Sequence, residues 1–99
     1  MKMMTITFSD GSVWGVPVEM IARNRAKEYA NIEFGGDVER SLKEDTLPYF
    51  EENEYGIIDW AIGNMDWSDF DGHQVKIKDA QPIDFVAEWL SGSTAVVDL

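Results

Sequence analysis

Residues 3–17 read MMTITFSDGSVWGVP, and the reading of this stretch decides the fold. Met3 to Phe8 alternates and carries β-branched residues, the pattern of a strand with one buried face. Ser9-Asp10-Gly11-Ser12 follows as a turn, since an Asp-Gly pair readily adopts the positive φ angles of a tight hairpin. Ser12 to Val16 is the returning strand. Pro17 is expected to open a helix, where its missing N–H is no loss. That helix runs from about Val18 to Ala30, with Met20, Ile21, Arg23, Ala26 and Tyr29 spaced close to the helical period.

Beyond the hairpin the pattern is helical. Phe34-Gly35-Gly36 breaks the first helix, and Asp37 is a good N-cap for a second that begins DVERSLKED. Pro48 is expected to kink or restart it, because an interior proline removes one hydrogen bond and clashes with the preceding turn. A third helix spans about Glu54 to Met65, with Ile57, Ile58, Ala61, Ile62 and Met65 on its buried side. Asp71-Gly72 forms another turn, and His73 to Lys78 alternates as a strand with Val75 and Ile77 on one face. Pro82 opens a last short helix, PIDFVAEWL, and the closing TAVVDL is either an edge strand or a frayed end. The order predicts one α+β domain over residues 1–99: a small antiparallel sheet of about three strands covered by three to four helices.

Composition narrows the function. The chain has 99 residues, 44% of them hydrophobic and 12% aromatic, so it is a folded domain rather than an acidic tail. Its net charge is −11, with eight Lys and Arg, which argues against direct nucleic-acid binding because counterion release needs cations. There is no cysteine, which excludes disulfides, thiolate catalysis and Cys-ligated zinc. No segment approaches the ~18 apolar residues of a membrane span, and MKMMTITFSDG lacks the apolar run of a signal peptide. A cytoplasmic protein is expected.

The acidity is concentrated. Residues 44–71, EDTLPYFEENEYGIIDWAIGNMDWSDFD, hold nine carboxylates and no Lys or Arg. Residues 1–43 carry six acids and six bases, and residues 72–99 sum to −2. A helix shaped for solubility alone would mix Glu with Lys at i,i+4 spacing. The same stretch holds two Trp, two Tyr and two Phe. Trp60, among Ile57, Ile58 and Ile62, reads as core. Tyr49, Tyr55, Trp67 and Phe70 read as exposed anchors of the kind that dominate interface energetics. The candidate partner-binding residues are therefore Glu44, Asp45, Tyr49, Glu51, Glu52, Glu54, Tyr55, Asp66, Trp67, Asp69, Phe70 and Asp71. Carboxylates on helical segments and a loop can approximate the row of charges on DNA, one per ~1.7 Å of duplex axis, and a groove lined with Arg and Lys would attract them.

Catalysis finds no support in the pattern. Setting Gly72 as the sixth residue of an EF-hand loop places Trp67 first and Lys78 twelfth, where oxygen ligands are required, so the motif fails. A looser cation site would have to use Asp66, Asp69 and Asp71. A carboxylate pair for glycoside hydrolysis needs a deep cleft that 99 residues rarely build. His73 is the sole histidine, and no serine is placed by spacing to use it as a base. No enzyme activity, metal or cofactor is assigned.

Two segments, FSDGSVWGVPVEMIARNRAKEYA at 8–30 and IIDWAIGNMDWSDF at 57–70, resemble short acidic proteins of tailed bacteriophages and prophages. Anti-CRISPR and other anti-defence inhibitors belong among small, acidic, cysteine-free phage proteins. The resemblance implies a stoichiometric inhibitor whose partner is a nucleic-acid-binding host protein or complex, such as a CRISPR surveillance complex, with this chain a monomer or homodimer. The alternative is a phage accessory or structural module assembled through apolar contacts.

Overall fold

The computed structural model describes residues 2–78 and 93–98. The hairpin is present. Strand β1 (Lys2–Thr7) pairs antiparallel with β2 (Val13–Pro17), from Met3 opposite Pro17 to Thr7 opposite Val13. Gly11 takes φ 85°, and the Phe8 N–H reaches the Ser12 carbonyl at 2.9 Å. The Asp10 carboxylate accepts from both the backbone N–H (2.8 Å) and the hydroxyl (2.6 Å) of Ser12, which fixes the turn.

Pro17 is both the last residue of β2 and the N-cap residue of the helix that starts, as expected, at Val18. Its φ/ψ of −64°/127° is extended, and α1 runs from Val18 to Glu33, three residues beyond the expected end. Of the residues spaced near the helical period, Ile21 and Ala26 are buried and Met20 and Tyr29 half-buried. Val18, Ile21, Ala22, Arg25, Ala26 and Ala30 face inward, while Arg23 is exposed. Three alanines on this face let α1 lie close to its neighbours.

Asp37 caps α2 (Val38–Ser41) by accepting the Arg40 N–H at 3.1 Å. The chain then makes a π turn over Leu42–Thr46 and continues as α3 (Leu47–Glu52). The Leu47 N–H bonds the Leu42 carbonyl, five residues back. This turn is how Pro48 is accommodated: the wider bond leaves the proline in the first turn of α3, where no N–H is demanded. Asn53 caps α4 (Glu54–Asn64), accepting the Gly56 N–H at 3.3 Å. A 3₁₀ turn at Trp67–Phe70 leads to β3 (Val75–Lys78), and β4 (Ser93–Asp98) closes the described chain.

The architecture is α+β, with four strands where about three were expected. The sheet is antiparallel in the order β3-β2-β1-β4, and the closing segment is a true edge strand paired with β1 from Lys2/Asp98 to Thr7/Ser93. Met4, Ile6, Phe8 and Val16 on one sheet face share a core with Ile21 and Ala26 of α1, Phe50 of α3, and Ile57 and Ala61 of α4. The helix expected at 82–90 lies outside the described residues. Among the described residues, no helix is long and apolar enough to cross a membrane.

Candidate functional site

The acidic stretch divides into three parts with different surroundings. At its start, the π turn and α3 meet α1. Arg25 of α1 is 8% exposed. Its Nη1 donates to Asp45 Oδ2 at 3.1 Å and to the buried Thr46 hydroxyl at 2.9 Å. The guanidinium carbon lies 4.3 Å from the Tyr29 ring centroid, 4.6 Å from that of Tyr49 and 5.9 Å from that of Trp60. Trp60, expected within the core, donates its indole N–H to Asn24 at 2.9 Å and is instead half-buried against the core. Asp45 and Tyr49 are thus engaged in holding Arg25, and Glu44 is held by Arg40 one turn earlier.

Tyr49 reaches Arg25 across Gly56. A Cβ on Gly56 would come within 2.7 Å of the tyrosine ring, whereas one on Gly63 would meet nothing within 4 Å. Both glycines sit in α4, where alanine is intrinsically favoured by roughly 0.5–1 kcal/mol. Gly63→Ala should therefore raise stability by about that amount in denaturant unfolding. Gly56→Ala should lower it by about 1 kcal/mol, because the gain is outweighed when the ring is pushed off the guanidinium.

The end of the stretch is not a set of exposed anchors. Trp67 is 7% exposed and Phe70 is fully buried. In a 3₁₀ turn, side chains i and i+3 fall on the same side, so both rings point inward together. Trp67 meets Phe8 edge-on at 5.5 Å and Trp14 at 5.9 Å. The carboxylates here are tied to the turn: Asp69 accepts the Asp66 N–H at 2.7 Å, and Asp71 accepts from Gln74 at 3.2 Å. Among the described residues no group of three or more His, Cys, Asp or Glu is placed to hold a metal ion.

The middle part remains open. Glu51 and Glu52 at the end of α3, and Asp59 on α4, are exposed and have no ion pair among the described residues. Glu54 lies 3.7 Å from Lys2, with both side chains largely in solvent. Tyr55 is 68% exposed and stands four residues before Asp59, a spacing that makes the two neighbours on a helix surface. Sequence reading placed Glu51, Glu52, Glu54 and Tyr55 in the site and missed Asp59. The signal was present in the helical spacing from Tyr55.

The missing cations are supplied from elsewhere in the chain. Lys2, Arg25 and Arg40 lie against Glu54, Asp45 and Glu44. On the far side of α1, Arg23 bridges Glu39 at 2.7 Å and Glu19 at 3.3 Å. The hydrogen bond to Glu39, then that to Glu19, holds the Arg23 guanidinium above its ordinary range. Compared with protein-family models, curated proteins and solved structures, the chain finds no match in any of the three.

Proposed function

We propose that this chain is a stoichiometric inhibitor that binds a basic, nucleic-acid-binding surface of a host defence complex, such as a CRISPR surveillance complex. The observation that carries the reading is the trio Glu51, Glu52 and Asp59, exposed and without ion pairs among the described residues, beside the exposed ring of Tyr55. Unpaired like charges on adjoining helical segments repel one another and give up the pairing that Arg25 and Arg40 supply to their neighbours. A cationic partner relieves that repulsion, steers association, and finds in Tyr55 an amphipathic anchor. The defence setting rests on the resemblance of residues 8–30 and 57–70 to acidic phage proteins. Asp66, Trp67, Asp69, Phe70 and Asp71 are left out of the proposed contact surface.

A corollary concerns nucleic acid itself. The purified protein should not shift DNA or RNA in a gel at physiological salt, since the open carboxylates repel phosphate. A clear shift at micromolar protein would contradict the reading. The positive test is whether the protein displaces bound nucleic acid from a complex captured out of bacterial lysate.

Assembly through apolar contacts is the second reading, and the edge strand favours it. Val75 and Ile77 on β3 are each 45% exposed. Binding that is indifferent to salt would support this reading over the first.

A further inference from the structure

A cleft of about 540 Å³ runs between the first turns of α1 and the helical run 38–52. Its floor is apolar: Val18 and Ala22 from α1, Leu42 and Phe50 from the facing run, and Ile57 from α4. Leu47 is 41% exposed, a large aliphatic side chain left open at the mouth. The Glu19–Arg23–Glu39 cluster spans the two walls, since Arg23 and Glu19 belong to α1 and Glu39 to α2. Lys2, Lys43 and Glu51 also line the cleft; Lys2 pairs with Glu54, and Lys43 and Glu51 have no ion pair among the described residues.

We propose that this cleft receives an amphipathic helix of the partner, with an apolar stripe against Leu47 and Phe50, Lys or Arg beside Glu51, and Asp or Glu beside Lys43. The proposal rests on the reading of a basic partner given above. Three observations support a helix as occupant. The walls are themselves helical, and a helix lying in a groove between helices is a recurrent packing and recognition mode. Lys43 and Glu51 are eight residues apart along the π turn and α3, at most about 12 Å at the α-helical rise of about 1.5 Å per residue, so residues about two turns apart on a docked helix would meet both. Glu51 lines the cleft and belongs to the acidic trio, so the groove and the acidic face form one continuous surface. A second copy of this chain is a poorer occupant, because it would bring another net −11 against the first.

The test uses three synthetic peptides of about 18 residues, long enough to form isolated helices. One carries leucines in a helical stripe on a lysine background, with a glutamate placed two turns from a lysine so that the two meet Lys43 and Glu51, one the same composition with leucines scattered, and one the leucine stripe on glutamates. The striped leucine–lysine peptide should bind at least tenfold tighter than the scattered one, a difference of about 1.4 kcal/mol. It should also shift the amide NMR signals of Ala22, Leu47 and Phe50. Leu47→Asp, at an exposed site, should remove that advantage with the melting temperature unchanged. Equal affinity for striped and scattered peptides, or shifts confined to Glu52, Tyr55 and Asp59, would overturn the cleft proposal and leave the acidic face standing. Equal binding of the leucine–glutamate peptide would overturn the basic helix, and with it the reading on which the proposal rests.

Discussion

Replacing Arg25 by alanine should cost about 3 kcal/mol of stability, because it strands a half-buried carboxylate and a buried hydroxyl together. For a domain of this size that lowers the melting temperature by roughly 12–24 °C. Arg25 is 8% exposed, and its guanidinium bonds both Asp45 and Thr46 while lying against Tyr29 and Tyr49. Its loss leaves the buried Thr46 hydroxyl and the half-buried Asp45 carboxylate without their donor, and opens a space between two rings. Arg25→Lys should recover part of the loss, since an ammonium keeps the charge but lacks the planar fork that serves two acceptors and stacks on aromatic faces. Arg23→Ala is the control. That side chain is 44% exposed, its pairs with Glu19 and Glu39 are at the surface, and its melting curve should stay near that of the parent. Equal melting curves for the two alanine variants would mean that Arg25 does not hold α1 to the π turn.

The hairpin and the helix after it were legible because local chemistry specifies them. Alternation in Met3–Phe8, the Asp10-Gly11 turn and the Phe34-Gly35-Gly36 break are all short-range signals, and each has its counterpart in the structure. The closing strand could be named only as one of two options, because pairing with β1 joins residues more than 85 apart. The burial of Arg25 was not legible for a related reason. Arg25 looks like a surface residue until Asp45, twenty positions later, is placed against it. Trp67 and Phe70 were misread because three aspartates flank them and the three-residue period of a single 3₁₀ turn leaves no repeat to detect. The acidic stretch seemed to lack cations because its counter-charges, Lys2, Arg25 and Arg40, come from the preceding part of the chain.

Reversing the open charges should have the largest effect on binding. A single exposed ion pair is worth about 0.2–1 kcal/mol, so one Glu→Gln change should do little. Glu51→Lys, Glu52→Lys and Asp59→Lys together would place like charges against a basic partner, at a cost of several kcal/mol. The loss should fall largely on the association rate, since steering is lost before contact is made. All three side chains are exposed, so the melting temperature should change little. The same reversals at Asp66, Asp69 and Asp71 should leave binding near wild type while loosening the 3₁₀ turn that Asp69 caps. This contrast separates a localised contact surface from a general dependence on net charge, because both triple variants alter the net charge by the same amount.

The most direct measurement of the central claim is displacement of labelled nucleic acid from a purified host defence complex, titrated with wild-type protein and with the Glu51→Lys, Glu52→Lys, Asp59→Lys variant at low and at high salt. A carboxylate surface competing for a basic groove should displace nucleic acid at low salt, weaken steeply as salt is added, and fail when the three charges are reversed. Displacement that survives the reversal and does not respond to salt would contradict the account and point to the apolar edge of β3 in place of the acidic face.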